Sequence, residues 1–211
     1  EIISTFLPRQ VIDSLQAAVM HAGLEIGTLT LEPIAAINVL IPPTMRHLNL
    51  VLVDVGAGTS AVAITRNGSV VGYGLVPIAG DEITEELSGQ YLLDFKVAEA
   101  LKRRLGKNVK HLNYVDILGI KHSKPPAELT DSVVPVVTKL AQAIAAQIMQ
   151  LNNSAPQAIL LVGGGALTPM LPEILAQIMD MPKDRVAVRR PDAIEDLQDI
   201  AAEFCTPDAV T

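Results

Sequence analysis

The sequence predicts an α/β fold, and three observations carry that prediction. Residues 50–77, LVLVDVGAGTSAVAITRNGSVVGYGLVP, read as three consecutive strands with a glycine-rich bend between the first two. Asn67-Gly68, set between two β-prone runs, is the strongest short hairpin signal that a sequence offers. A strand, helix, strand, helix order precedes this region, and the late run at 158–162, AILLV, enters three glycines ahead of another helical stretch.

Taken in order, Ile2 and Ile3 read as the end of a strand. Pro8 then stands near the first turn of a helix with Val11, Ile12, Leu15, Ala18, Val19 and Ala22 along one side, and Gly23 is placed to stop it. Residues 24–31 are expected as a short strand. Glu32-Pro33 opens a helix of small residues to about Leu40, ended by Pro42-Pro43. After the three-strand region, Asp81 is positioned to help cap a helix over 82–88. A second helix over 94–105 presents Phe95, Ala98, Leu101 and Leu105 for packing. Residues 106–126 admit a small hairpin or an edge strand, with an apolar run at 115–120. A long helix over 127–151 is apolar at Leu129, Val133, Val136, Val137, Leu140, Ile144 and Ile148, with Pro135 expected to bend it. Thr168-Pro169 reads as the cap and first turn of a helix to Met179, residues 186–188 as a last short strand, and Pro191 onward as turn and helix.

Half of the 211 residues are hydrophobic, enough to bury one substantial core or two small ones. The net charge of -7 comes without a long basic stripe, since Lys102-Arg103-Arg104 is a short group, so no nucleic-acid partner is expected. Cys205 is the single cysteine, which excludes an internal disulfide and fits a reducing compartment. No continuous apolar run reaches membrane-spanning length and no signal-peptide pattern opens the sequence, so the expected location is cytoplasmic. The abrupt start at Glu1-Ile2-Ile3 gives the expectation of a piece of a larger protein.

The chemistry-bearing stretch is the first bend. Asp54, Gly56, Gly58, Thr59 and Ser60 put one carboxylate, two positions open to close backbone approach and two hydroxyls within seven residues. Such a bend can cradle phosphate while the carboxylate addresses a metal or its water shell, and the same residues also make an ordinary capped glycine turn. Glu99 and Lys102 are neighbours on a helix face, and a plain exposed salt bridge is the simplest account of them. His47, His111 and His122 have no compact spacing with Cys or carboxylates, so no histidine metal site is expected.

The order of these segments resembles the actin-like ATPase superfamily, and most closely its group of FtsA-type cell-division and PilM-type pilus-assembly proteins. EPIAA at 32–36 is similar to the family's EPxAA segment, DVGAGTSAVAI from Asp54 to the second phosphate loop, and VPIAGDEITEEL to the PIGGDxIT segment. AEALKRRLG at 98–106 resembles the helix that embraces the nucleoside, and LLVGGGALTPML at 160–171 the adenosine motif. The resemblance implies an actin-like ATPase (ribonuclease H-like) fold with two subdomains, one from residues 1–45 with 150–211 and the other from 46–149. It implies ATP and Mg²⁺ as cofactors. Glu32 would orient the attacking water, and Asp54 would hold Mg²⁺ through water. Gly56, Gly58 and Thr59 would approach the phosphates, Glu99 and Lys102 the ribose and adenine side, and Gly163, Gly164 and Gly165 would line the opposite wall.

Several departures stand out. Ala61 sits where the family often has Asp, and Ala57 and Ala79 replace common glycines. The family's first phosphate loop, its extra FtsA subdomain and its membrane-binding terminal helix have no counterpart in the sequence, so an incomplete domain with negligible turnover of its own is expected. The function implied is that of an FtsA-like ATP-binding protein of cell division or cytoskeletal assembly. Its partners would be further copies of itself or other assembly proteins, with membrane contact only through regions outside this stretch. The alternatives are a chaperone-like ATPase of the same fold, similar to the ethanolamine-utilisation protein EutJ, and a nucleotide-independent scaffold.

Overall fold

A computed structural model describes residues 8–189. The strand expected at Ile2 and Ile3 and the elements expected from Pro191 onward lie outside the described residues. The chain divides into two compact units, Glu1–Glu32 and Pro33–Thr211.

The first unit carries α1 (Arg9–His21), which starts after Pro8 and ends as expected, with Gly23 at a φ of +74° and its N–H donated to Met20 O. No residue of α1 is buried, and Val11 and Leu15 are exposed. The strand expected at 24–31 does not form. Alternating apolar residues make a strand only where a neighbour supplies backbone partners, and this segment enters no described sheet.

The second unit contains the strands β1 (Leu50–Val55), β2 (Ser60–Arg66), β3 (Ser69–Val76), β4 (Leu112–Val115), β5 (Lys121–Lys124), β6 (Ala158–Val162) and β7 (Val186–Val188). Its helices are α2 (Glu32–Leu40, of which Glu32 belongs to the first unit), α3 (Gly80–Tyr91), α4 (Phe95–Lys102), α5 (Pro126–Asn152) and α6 (Leu171–Ile178). Five strands form one sheet in the order β3-β2-β1-β6-β7, and β4 and β5 form a separate hairpin. The turn between β2 and β3 has Asn67 at φ 52° and Gly68 at φ 81°, the two positive values that a type I′ hairpin needs.

The strands do not divide at residue 150, where the sequence reading placed a subdomain boundary. β6 pairs in parallel with β1, matching Leu50 to Ala158 and Asp54 to Val162, and β7 pairs in parallel with β6. An apolar parallel strand such as AILLV is stable when both edges and both faces are covered, and β1 and β7 supply the edges. Successive side chains of β1 point to opposite faces. Val51, Val53 and Val55 enter the larger core with Ile83, Leu140, Ile144 and Leu175. Leu50 and Leu52 enter a smaller one with Ile37, Leu40, Ile41 and Val162. The sheet is therefore covered by α5, α3 and α6 on one side and by α2 on the other.

α5 has the length and apolar composition of a membrane span. Here its stripe of Val133, Val137, Leu140, Ile144 and Ile148 is buried in the core. The small hairpin admitted over residues 106–126 forms as β4 and β5, with Val115 closing β4 and residues 116–120 making the connection. Two local expectations change. Phe95 is exposed instead of packed. α6 begins at Leu171, because Gly164–Leu167 forms a 3-10 turn and Met170 takes a left-handed φ of 68° before the helix starts.

Candidate functional site

Parallel pairing of β1 and β6 brings their carboxyl ends side by side, the edge of an α/β sheet where ligands are bound. Asp54 stands there, half-buried. The chain then turns sharply, with the Gly56 N–H donated to Thr59 O at 3.0 Å, and Ala57, Gly58 and Thr59 are exposed at the tip. The two hydroxyls of this bend part company. Thr59 is exposed, whereas Ser60 is fully buried and its Oγ donates to Ile78 O at 2.8 Å. Ser60 thus ties β2 to the segment ahead of α3, and of the two hydroxyls Thr59 is the one placed for a ligand.

The glycines after β6 have different reasons for being glycine. Gly163 has a φ of +83°, and a β-carbon there would collide with Asp54 Oδ1 and stand 2.5 Å from Val55 O. A β-carbon on Gly165 would lie 2.5 Å from Val55 Cγ1 and 3.0 Å from Gly56 O. Both are needed for the two strand ends to lie against each other. Gly164 is exposed, with nothing within 4 Å of its β-position, so it is the glycine of the three that faces open space.

α3 is fastened to the bend. Its Gly80 N–H donates to Gly56 O at 3.1 Å and its Asp81 N–H to Ala57 O at 2.8 Å. The Glu82 carboxylate accepts from the Ala79 N–H at 2.8 Å, so Glu82, and not Asp81, supplies the side-chain cap. α4 is capped by Asp94, whose side chain accepts from the Lys96 N–H, and carries Glu99 and Lys102 on its inner face.

The Glu99–Lys102 pair is not a surface salt bridge. Lys102 Nζ is 2.6 Å from Glu99 Oε2 and also donates to Gly80 O and to Thr84 Oγ1, each at 2.8 Å, with the Lys102 side chain 12% exposed. Its three N–H donors are thus all engaged. Thr84, fully buried, donates to Glu99 Oε2 at 2.7 Å, and Arg103 Nε approaches Glu99 Oε1 at 2.8 Å. Burial pushes the Glu99 carboxyl up, but hydrogen bonds from Lys102, Thr84 and Arg103 together with the Lys102 charge outweigh it and bring the pKa down to about 2. The link from this pair to the late glycines runs through Gly80 and Gly56.

The second unit therefore brings together Asp54, Gly56, Gly58, Thr59, Gly163, Gly164 and Gly165 at one edge, with Glu99 and Lys102 joined to it through α3. Glu32 opens α2 as expected but belongs to the first unit, so it stands outside the geometry described here. Gly80 and Thr84 were not singled out from the sequence. Their spacing, four residues apart and hence on one helix face, was the available signal. Among the described residues no group of three or more His, Cys, Asp or Glu side chains gathers as a metal cage. A magnesium ion held through its water shell asks for only one or two carboxylates besides substrate phosphates.

The family model for cell division protein FtsA matches residues 51–206. The chain belongs to the FtsA family. It is 23% identical to the FtsA of Bacillus subtilis over 195 residues, covering 88% of this chain and 44% of that protein. With the FtsA of Pseudomonas aeruginosa it is 25% identical over 204 residues, covering 89% and 46%. The chain thus spans a little under half the length of these FtsA relatives. Among solved structures, the PilM-PilN type IV pilus biogenesis complex matches with a TM-score of 0.69 at 19% identity, covering 88% of this chain and 49% of that one. EutJ from Carboxydothermus hydrogenoformans matches with a TM-score of 0.66 at 24% identity, covering 89% and 58%. MreB5 of Spiroplasma citri bound to ADP matches with a TM-score of 0.64 at 18% identity, covering 87% and 61%. The fold is that of part of an actin-like ATPase domain, of the ribonuclease H-like type, as the FtsA resemblance implied.

Proposed function

We propose that this chain forms one wall of a nucleotide site in an FtsA-like protein of cell division or cytoskeletal assembly, with ATP and Mg²⁺ as its ligands. The observation that carries the reading is the parallel β1–β6 pairing, which sets Asp54 and the 56–59 bend against the glycines at 163–165. The ADP in the solved MreB5 structure of the same fold adds support. Asp54 would hold the hydrated metal, and Gly58, Thr59 and Gly164, the exposed members of the two loops, would meet the nucleotide. Bound Mg²⁺ would neutralise phosphate charge beside Asp54, which otherwise repels it. Glu32 is retained as the candidate for orienting water. Glu99 and Lys102 back the nucleoside side, and Lys102 must release one of its three acceptors to touch a ligand directly. Hydrolysis by this chain alone is expected to be negligible, because phosphoryl transfer needs charged contacts on several sides of the transferring group.

The partners we propose are further copies of the protein or other assembly proteins, with no nucleic acid, in the cytoplasm and with membrane contact made by regions other than this stretch. A nucleotide-independent scaffold is the second reading, favoured by the internal use of every Lys102 donor. Calorimetric titration of ATP and ADP with and without Mg²⁺, with phosphate release followed in parallel, separates the two. Magnesium-dependent binding, weakened by Asp54→Ala, supports the nucleotide reading. Binding indifferent to Mg²⁺ and to that substitution, or no binding at all, supports the scaffold.

A further inference from the structure

We infer that Thr84 is a positioning residue that couples the Glu99–Lys102 pair on α4 to the phosphate-side bend, making the two halves of the site move as one. The inference rests on the nucleotide reading for its functional meaning, but its mechanical content stands on the contacts alone. Thr84 Oγ1 accepts from Lys102 Nζ at 2.8 Å and donates to Glu99 Oε2 at 2.7 Å, with Gly80 O a further 3.2 Å away. Gly80 O also takes a hydrogen bond from Lys102 Nζ. One residue thus completes a closed ring of Lys102, Glu99, Thr84 and Gly80, with no side of it open to water at Thr84, which is fully buried.

The ring then connects outward by backbone. Gly80 and Asp81 hang from Gly56 O and Ala57 O, the carbonyls of the bend whose other atoms face the glycines after β6. A β-carbon on Gly80 would stand 3.1 Å from Gly56 O and 3.2 Å from Lys102 Nζ, so the contact has no slack for a side chain there. A shift of the bend of a few tenths of an ångström is carried to Gly80, and from Gly80 through Thr84 and Lys102 to α4. Conversely, drawing Lys102 toward a ligand removes a donor from Gly80 O and loosens the bend. A hydroxyl serves because it accepts from the ammonium and donates to the carboxylate at once, and neither valine nor alanine can do either.

The test uses the 211-residue chain as wild type and with Thr84→Val, Thr84→Ser and Lys102→Met. Without nucleotide, amide hydrogen exchange should show Gly80 and Asp81 exchanging about tenfold faster in T84V and K102M, while T84S restores protection. Carbon NMR should show the Glu99 carboxyl titrating about one pH unit higher in T84V than in wild type, and T84S near wild type. Calorimetry should show Mg-ATP binding weakened about tenfold in T84V and recovered in T84S. Unchanged Gly80 and Asp81 exchange and an unchanged Glu99 titration in a folded T84V would overturn the coupling. If T84V does not fold, Thr84→Ala, which removes the same hydroxyl, decides the point through the same two amides, whereas K102M reports only the direct Lys102 bond to Gly80 O. If wild type binds no nucleotide but T84V still exposes Gly80 and Asp81, the nucleotide reading fails and the coupling holds.

Discussion

Asp54 and Gly163 lie so close that a β-carbon on residue 163 would collide with the Asp54 carboxylate. Their contact joins the end of β1 to the end of β6, and it separates two neighbouring glycines by role. Gly163→Ala should destabilise the chain by about 1–3 kcal/mol, because it adds both a steric clash and an L-residue at a φ of +83°. Gly164→Ala, with open space at its β-position, should change stability by no more than about 0.5 kcal/mol and, on the nucleotide reading, should weaken ATP binding. Thermal denaturation with calorimetric titration reads both, and equal stability losses in the two variants would contradict the assignment.

Much of this arrangement was legible in the sequence, and what was not has physical reasons. The β1–β3 meander, the Asn67-Gly68 turn and α5 are written in local periodicity and turn chemistry. The pairing of β6 with β1 is not, because AILLV suits any parallel neighbour and only the assembled sheet selects one. Residues 24–31 carry apolar side chains yet do not become a strand, and of the apolar run at 115–120 only Val115 does, as the last residue of β4. The first meets no pairing partner among the described residues, and the rest of the second is turned by the Asp116 side chain and by Gly119 at a φ of +81°. The Thr84 ring was invisible because its members come from two helices that only tertiary packing brings together.

Glu99 should make stability sensitive to acid. Its folded pKa of about 2 lies below the ordinary 4.5, so its contribution is complete above about pH 4.5 and is lost as the pH falls toward 2. After allowance for solvent screening the contribution is about 1–2 kcal/mol. Denaturant midpoints of wild type and Glu99→Gln measured from pH 7 to pH 2.5 should converge as the pH drops. A constant gap would mean that the carboxylate charge is not what stabilises the ring.

Asp116 should hold the β4–β5 connection in shape. Its carboxylate accepts from the Leu118 and Ile120 N–H groups, both at 2.9 Å, and pairs with His122 Nε2 at 2.8 Å, while His122 stacks on Tyr114 with ring centres 5.0 Å apart. The His122 hydrogen bond, aided by the two backbone donors, holds the Asp116 carboxyl below its usual range against the effect of burial. The loop should therefore keep its order above the ordinary carboxyl range and lose it as the pH falls below that range. Asp116→Ala should speed amide exchange at Leu118 and Ile120 at neutral pH while leaving the β1–β2 amides protected. Unchanged exchange at those two positions would assign the loop's order to Gly119 and the strands alone.

In the core, Ile144 and Met149 lie on the same helix with opposite environments, Ile144 fully buried and Met149 44% exposed. Ile144→Ala removes packing against the sheet and should cost about 2–5 kcal/mol, whereas Met149→Ala should cost within about 0.5 kcal/mol. Urea denaturation checks the difference. Similar costs at the two positions would mean that α5 does not rest on the sheet by the face assigned to it.

The two hydroxyls of the glycine bend give the sharpest separation of scaffold from site. Ser60 is buried and spends its Oγ on Ile78 O, so Ser60→Ala leaves a carbonyl short of its donor and should cost about 1–3 kcal/mol of stability. Its effect on ATP should be only what the loosened segment transmits. Thr59 stands exposed at the tip and closes the bend through its backbone carbonyl, which the substitution keeps, so Thr59→Ala should leave stability within about 0.5 kcal/mol of wild type. On the nucleotide reading the same change should weaken Mg-ATP binding, because a hydroxyl placed to meet phosphate is gone. Paired measurements of melting temperature and of calorimetric affinity for ATP therefore place each variant on two axes. A Thr59→Ala protein that melts like wild type and binds Mg-ATP like wild type would remove Thr59 from the site and leave the bend, with its Asp54 and glycines, as a turn that joins β1 to β2.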